Sequence, residues 1–146
     1  MREYKFRVWD TENKEMLKVQ ELDFEDTFYG GRLSIRTDQY NDYFDIEDMI
    51  LMQYTGLKDK KQKEIYEGDI IDFSYDMFVG NFDTFVAKGK VVFEEGAFYI
   101  EVFENERTTK DEVYLLYSIN LDTIEVIGNV WEDSDLLNDN KNTKNN

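Results

Sequence analysis

Short segments in which apolar and polar residues alternate run through most of this chain. Residues 4–9 place Tyr4, Phe6 and Val8 on one face of a strand, and similar segments follow at 16–24, 50–55, 64–66, 69–75, 84–94, 97–104, 113–119 and 124–132. A period of two residues is typical of a strand with one buried face, and no long helical period separates the segments. The sequence therefore predicts a mainly β fold, an antiparallel barrel or sandwich, rather than a doubly wound α/β sheet.

Polar stretches between these segments predict where the chain turns. Residues 10–15 predict a hairpin turn in which Asp10 bonds to nearby backbone, and residues 94–96 predict a tighter turn that uses Gly96. Residues 25–48 mix a glycine pair, a candidate strand over 32–36 and an acidic, aromatic run, so we expect an irregular excursion there. Ser134 or Asp133 is a suitable N-cap for one short C-terminal helix within 132–139.

The stretch YTGLKDKKQKEIYEGDII, residues 54–71, predicts a hairpin with a charged tip. Leu57 on one arm and Ile65 or Tyr66 on the other can cover the same core patch, while the lysines of the loop stay in water. The tip falls at Lys61-Gln62, where neither residue adopts positive φ readily.

Glycine marks both ends of that hairpin. Gly56 lies on the first arm, and Glu67-Gly68-Asp69 has the form of a tight turn that launches the next strand. Gly68 permits a backbone conformation that a Cβ would forbid, and Asp69 can accept hydrogen bonds from the amides of the turn. The same pattern sets a corner in SH3-like barrels, so we expect an SH3-like barrel element; this analogy concerns the fold and not the function.

The composition fits a single folded unit. The chain has 146 residues, no proline and eight glycines, and no linker-like stretch divides it. We therefore expect one all-β domain over residues 1–139 and a disordered tail over 140–146.

The absence of cysteine and histidine removes several kinds of chemistry. It excludes disulfides, thiolate nucleophiles, zinc sites of the Cys/His kind and triads with an imidazole base, and we expect no cofactor. The N-terminal residues do not form the apolar region of a signal peptide, and no run of about 18 apolar residues occurs. We therefore expect a cytoplasmic protein that has no membrane partner.

The formal net charge of −16 opposes binding to nucleic acid or anionic lipid, because each phosphate contact needs a lysine or an arginine. Residues 19–53 carry nine acidic and two basic residues, residues 101–139 carry eleven and two, and residues 54–71 carry four of each. If the two acidic blocks share a face, that face could imitate DNA. The simpler interpretation is that the acidity serves solubility.

Three blocks of this sequence resemble the YopX-like family of bacteriophage and prophage proteins. They are Phe6-Arg7-Val8-Trp9-Asp10, the block from Gln53 to Ile70, and Glu125-Val126-Ile127-Gly128-Asn129 running on to Glu132 and Leu136-Leu137. The segment 89–101 is also similar to a family hairpin, whereas Gln62 departs from the family, which often has glycine there. The resemblance implies an all-β, phage-encoded protein of the host cytoplasm and supplies no activity.

Carboxylates are the first candidates for catalysis in a chain without imidazole or thiol. Four of them could converge on Ca²⁺ or Mg²⁺, although their spacing lacks the glycine and distal glutamate of an EF-hand and favours a solvated loop. They are Asp42, Asp45, Glu47 and Asp48.

Glu67 with Asp69, or Asp72 with Glu94, could pair as in a glycoside hydrolase. Among 33 acidic residues such pairs arise by chance, so turn and surface roles are favoured.

Aromatic residues offer one further candidate, a base-stacking platform. Its members would be Trp9, Tyr54, Tyr66, Phe93, Phe98, Tyr99 and Trp131. Such platforms normally lie in a basic groove, which the net charge opposes, so packing in the core and at its rim is the favoured interpretation.

Three functions stay open at this point. The sequence favours a non-enzymatic accessory protein that binds another protein or a second copy of itself. The alternatives are a nucleic-acid mimic that inhibits a host DNA-binding protein and a hydrolase that depends on a divalent cation. The candidate binding residues are Lys58, Lys60, Lys61, Lys63, Tyr54 and Tyr66. The motif residues with an expected structural role are Trp9, Asp10, Gly56, Gly68, Asp69, Gly128 and Asn129.

Overall fold

The computed structural model describes residues 1–26, 30–78, 80–103 and 112–137. Within these residues the chain is mainly β, with two antiparallel sheets and only short 3₁₀ helices, which confirms the predicted fold class. Neither sheet closes into a barrel in this part of the chain. None of the helices described here is long and apolar enough to cross a membrane.

Residues 1–54 form the first of two compact units. It contains β1 (Phe6–Asp10), β2 (Glu15–Asp26), β3 (Arg32–Thr37), β4 (Tyr43–Asp45) and the first part of β5 (Met49–Lys58), in the spatial order β4-β3-β2-β1-β5. Val8 pairs in register with both Leu17 and Leu51, and one face of the sheet packs into a core with Ile35 and Met49. The apolar residues of the alternating pattern that predicts these strands are the residues that fill this core.

The second unit begins at Thr55. It contains the end of β5, then β6 (Glu64–Tyr66), β7 (Asp69–Phe78), β8 (Phe82–Glu94), β9 (Ala97–Val102), β10 (Val113–Leu115) and β11 (Glu125–Asn129). The last five form a sheet in the order β10-β9-β8-β7-β11. Its core includes Ile65, Ile71, Phe73, Val91, Ile100, Leu116 and Ile124.

The chain divides into these two compact units, and the single domain expected over 1–139 stays a prediction. The expected disordered tail at 140–146 lies outside the described residues.

The expected excursion at 25–48 contains ordered strands. The candidate strand over 32–36 is present as β3, which pairs with β2 and β4. A register shift between Val19 and Glu21 explains why the sequence pattern is hard to recognise. Val19 and Leu22 pack against the same core, although a separation of three would put them on opposite faces of a regular strand.

The two hairpins predicted at residues 10–15 and 94–96 are confirmed. The first joins β1 to β2, with Lys14 at φ 58° and its backbone N–H donating to the Asp10 carbonyl oxygen at 3.0 Å. The second joins β8 to β9 through Glu95 at φ 47° and Gly96 at φ 83°. Positive φ at both central residues is the geometry that fits the twist of a two-residue hairpin.

The strand predicted over 113–119 is too long. β10 ends at Leu115, and Leu116–Ser118 form a 3₁₀ helix in which the Ile119 N–H donates to the Leu116 carbonyl oxygen at 3.3 Å. Leu116 and Ile119 are both buried, and three residues of 3₁₀ helix bring two such side chains to one face, whereas a strand would separate them. The expected short C-terminal helix is present as a 3₁₀ turn, Ser134–Leu137.

Candidate functional site

The lysine hairpin, which we define as residues 55–66, turns through a three-residue loop. The Asp59 N–H donates to the Lys63 carbonyl oxygen at 2.9 Å, and the Gln62 N–H donates to the Asp59 carbonyl oxygen at 2.9 Å. Gln62 has φ 65°, in the left-handed region. A turn followed by one left-handed residue is a common three-residue hairpin, and glycine is the residue that adopts the last position most easily. The predicted tip is therefore in the right place, and Gln62 takes the conformation that the sequence disfavours.

The Asp59 carboxylate fixes this loop from inside. Asp59 is only 2% exposed. Its Oδ1 atom accepts hydrogen bonds from the backbone N–H groups of Lys61 at 2.8 Å and Lys63 at 2.9 Å. Its Oδ2 atom accepts one from the Val126 N–H at 2.9 Å. One side chain thus closes the loop and fastens it to β11.

A backbone hydrogen bond reinforces this attachment, since the Lys60 N–H donates to the Ile124 carbonyl oxygen at 2.9 Å. Burial by itself would raise the pKa of Asp59, but the hydrogen bonds from Val126, Lys63 and Lys61 hold that pKa below its ordinary value. Asp59 is therefore ionised at neutral pH, and its hydrogen bonds hold the loop that carries the lysines.

Two of the four lysines share one carboxylate. Lys60 Nζ lies 2.7 Å from Oε2 of Glu125, and Lys61 Nζ contacts Oε1 of the same side chain. Hydrogen bonds from Lys60 and Lys61 lower the pKa of Glu125 to about 2. Within the described residues, no carboxylate lies within ion-pair distance of the Lys58 or Lys63 ammonium. The hairpin thus presents exposed positive charge on an acidic protein.

The two tyrosines predicted to bind alongside the lysines are buried. Tyr54 is 4% exposed, and Lys5 Nζ lies 5.3 Å from the centre of its ring. Tyr66 is 7% exposed, and its hydroxyl donates to Glu64 at 2.9 Å. The lysines are therefore on the surface, whereas neither tyrosine offers a contact area.

Trp9 and Asp10 hold the end of β1. Trp9 is buried and pairs in register with Met16 and Ile50. Asp10 Oδ1 accepts from the N–H groups of Glu12 and Asn13 at 2.9 Å each, and Oδ2 accepts from Asn13 Nδ2 at 2.8 Å. Burial acts to raise the pKa of Asp10, but the hydrogen bonds of Asn13 and Glu12 leave it lowered.

The Gly68-Asp69 corner joins β6 to β7 as a tight turn. Gly68 has φ 82°, and Asp69 Oδ2 accepts from the Tyr66 N–H at 2.8 Å. The Gly68 N–H donates to the Val91 carbonyl oxygen at 2.8 Å, and its own carbonyl accepts from Val130 at 2.9 Å. Gly56 also has positive φ, 85°.

Gly128 and Asn129 shape the end of β11. A Cβ on Gly128 would lie 2.6 Å from Asp133 Oδ2, an atom that accepts from the Asn129 N–H at 3.0 Å. Asn129 Oδ1 accepts from the N–H groups of Trp131 at 3.0 Å and Glu132 at 2.9 Å. Both residues therefore serve the turn that follows the strand.

The four carboxylates proposed for a cation do not gather into a metal site. Asp45 Oδ2 lies 2.5 Å from the Arg32 guanidinium, and Glu47 lies 3.0 Å from it. Asp42 accepts from the Tyr43 N–H, and Asp48 is exposed. Over residues 1–26, 30–78, 80–103 and 112–137, no group of three or more acidic side chains is arranged to hold a metal ion.

The carboxylate pair Asp72 and Glu94 is separated along the strands. Asp72 lies opposite Lys88 on β8 and Glu125 on β11, whereas Glu94 lies opposite Ala97 on β9. Among the aromatic residues, Phe93 and Phe98 contact each other with ring centres 5.0 Å apart. Trp131 and Phe93 are exposed, while Trp9 is buried.

Comparison with known proteins decides the family. A family model described as "YopX protein" matches residues 5–138, which is most of the chain. The chain belongs to the YopX family. The three resembling blocks at 6–10, 53–70 and 125–137 all lie inside the match. No match to a curated protein was found.

One solved structure is similar to this YopX chain over nearly the whole length of the chain. It is the crystal structure of protein EF1440 from Enterococcus faecalis, which is 27% identical in sequence. The similarity has a TM-score of 0.58 and covers 94% of this YopX chain and 99% of the other.

The sequence does not predict the contacts of three carboxylates of this YopX protein: Asp59, Glu125, which it indicates only as part of a family block, and Asp133, which it indicates only as a helix N-cap. Asp59 was recognisable, because aspartate before a tight turn commonly accepts bonds from the amides that follow, and it stands within the family block. The other two gave no such signal, because their partners lie on another strand or across a turn.

Proposed function

We propose that this YopX protein is a phage- or prophage-encoded accessory protein of the host cytoplasm. It acts without catalysis, by binding another protein through the lysine hairpin. The observation that carries the proposal is that the buried Asp59 carboxylate holds the loop that presents the lysines.

The energetic argument concerns side-chain and loop order. Binding normally costs free energy for ordering a loop, and a loop already held in place avoids part of that cost. Four lysines within residues 58–63 give this hairpin a local positive charge, although the chain as a whole carries −16. Complementary charge favours a partner with an acidic contact surface, and it accelerates the encounter at low salt.

The test is quantitative affinity capture from infected or lysogenic cells with the tagged chain as bait. We expect the Lys58→Gln/Lys63→Gln variant to lose a partner that the unmodified chain recovers. The matched control is Lys88→Gln/Lys90→Gln, which removes the same charge from β8 and should retain the partner. Equal recovery with both variants would contradict the proposal.

The two alternative functions predict different results, one in the capture experiment and one in a metal titration. A nucleic-acid mimic would recover a DNA-binding protein independently of the hairpin lysines, through its acidic residues. A cation-dependent hydrolase would show stabilisation in a thermal-shift titration with Ca²⁺, Mg²⁺ or Mn²⁺. Either result would replace the interaction proposed here.

A further inference from the structure

The Glu125 carboxylate sits on the lysine hairpin in the way that an acidic ligand would. Each of its oxygens takes one ammonium group: Oε2 lies 2.7 Å from Lys60 Nζ, and Oε1 contacts Lys61 Nζ. Its side chain is 26% exposed and that of Lys61 is 67% exposed, so the contact is open to solvent. A carboxylate from another molecule can reach the same two ammonium groups.

The position of Glu125 on β11 is not favourable in the sheet itself. Glu125 lies directly opposite Asp72 on β7, and like charges at such a position destabilise an antiparallel pair. The Asp72 Oδ1 atom is buried and has no hydrogen-bond partner among the described residues. Among the described residues, the ammonium groups within ion-pair distance of Glu125 are those of Lys60 and Lys61, so the hairpin lysines compensate its charge.

The hairpin does not depend on Glu125 for its attachment. Asp59 binds the Val126 N–H, and the Lys60 N–H binds the Ile124 carbonyl, so backbone contacts on either side of Glu125 hold the loop. Lys60 and Lys61 can consequently exchange one carboxylate for another while the loop stays in place.

We propose that Lys60 and Lys61 form a binding site for an acidic segment of a protein partner, and that Glu125 fills this site until the partner displaces it. The inference rests on the function proposed above and names the chemistry of its partner. Lys58 and Lys63 flank Lys60 and Lys61 in sequence and add positive charge to the same loop. A nucleic acid fits less well, because its long phosphate backbone would be repelled by the rest of a chain of charge −16.

The test measures binding of a fluorescein-labelled octaglutamate peptide by fluorescence anisotropy at low salt. Exposed ion pairs are individually weak, so freeing both lysines in Glu125→Gln should tighten binding by roughly two- to thirtyfold at low salt. Lys60→Gln/Lys61→Gln should weaken binding by a similar factor. Adding Glu125→Gln to that double variant should change nothing further, because the site is already lost.

The matched control is Glu101→Gln, which also removes a carboxylate from an ion pair in the same sheet, with Lys90. It should leave the affinity for the peptide unchanged, and denaturation midpoints will show that each variant is folded. Equal affinity of Glu125→Gln and the unmodified chain would overturn the inference. So would a duplex oligonucleotide that binds as tightly as the peptide.

The two proposals fail in different ways. If cellular capture is insensitive to Lys58 and Lys63 while Glu125→Gln still tightens peptide binding, the proposed function is wrong and the carboxylate site stands. If capture depends on those lysines while Glu125→Gln has no effect on the peptide, the hairpin binds its partner and Glu125 does not compete.

Discussion

Single side chains that accept hydrogen bonds from backbone N–H groups shape several turns of this protein. Asp10, Asp59 and Asn129 each accept two or more such bonds. A buried N–H that loses its acceptor costs free energy, because water is no longer available to replace it. Among these three residues, Asp59 is the most deeply buried.

Replacing Asp59 by alanine should lower the free energy of unfolding by about 2–3 kcal/mol, since a donor that loses its acceptor costs about 1–3 kcal/mol when it is buried and less when water can reach it. The Val126 hydrogen bond is buried, and those of Lys61 and Lys63 are partly buried. Three backbone N–H groups lose their acceptor in this variant. Urea denaturation measures the difference. The control Glu94→Ala removes an exposed carboxylate and should stay within about 0.5 kcal/mol.

The contribution of Asp59 should also depend on pH. Because its folded-state pKa lies below the ordinary value of 3.8, the contribution is fully present above that value and is lost as pH falls through the folded-state pKa. The difference between the unmodified chain and Asp59→Ala should therefore narrow in acid. A difference that grows on acidification would contradict this role.

Gln62 carries a conformational cost that glycine would remove. A left-handed backbone conformation costs an L-amino acid other than glycine roughly 1–2 kcal/mol. Glycine avoids this cost but loses more backbone entropy on folding, so the net gain in stability is smaller. Gln62→Gly should therefore stabilise the protein by about 0.5–1 kcal/mol in the same urea experiment. Gln62→Ala keeps the Cβ and should gain nothing, and an equal gain from both variants would rule out this explanation.

Hydrogen bonds between neighbouring elements hold the lysine hairpin, β11 and β7 together. The lysine hairpin is attached to β11 by side-chain and backbone hydrogen bonds, and β11 in turn pairs with β7. A register shift between Val126 and Gly128 brings the end of β11 into the turn that Asn129 and Asp133 close.

Gly128→Ala should destabilise the protein by about 1–3 kcal/mol, because the new Cβ displaces the Asp133 carboxylate. The backbone of Gly128 has no positive φ, so the expected effect is steric. In the Asp133→Ala background the two closest atoms, Oδ2 and Cγ, are gone and only the Cβ of residue 133 stays, 3.0 Å from the new Cβ, so Gly128→Ala should then cost less. A double-mutant cycle of unfolding free energies measures this coupling, and additive effects would show that the contact is unimportant.

At the scale of the whole molecule, acidic and basic residues are unevenly distributed along the chain. The two acidic blocks at 19–53 and 101–139 fall largely in different compact units. Positive charge is concentrated in the hairpin between them in sequence, and part of it is neutralised by Glu125. A test of function at this scale is therefore the cellular capture described above, since net charge alone does not select a partner.

Much of the fold follows from local pattern. The alternation at 4–9, 69–75 and 84–94 marks strands because a side chain on every second residue must face the core. The hairpin at 94–96 follows because Gly96 adopts positive φ without strain. The strand predicted over 113–119 is wrong beyond Leu115, because Leu116 and Ile119 are spaced for a turn of 3₁₀ helix, which a short apolar run does not reveal.

The candidate site divides along the same line. The sequence by itself determined the lysine-rich tip, the glycine-aspartate corner and the absence of imidazole and thiol, because these depend on residue identity and near neighbours. Only the tertiary structure decided that Tyr54 and Tyr66 are buried. It alone also decided that Asp59 attaches the hairpin to β11 and that Glu125 forms ion pairs with two of the four lysines. The reason is physical: Asp59 and Val126 are 67 residues apart in sequence, and a contact over that distance forms only when the strands between them have packed.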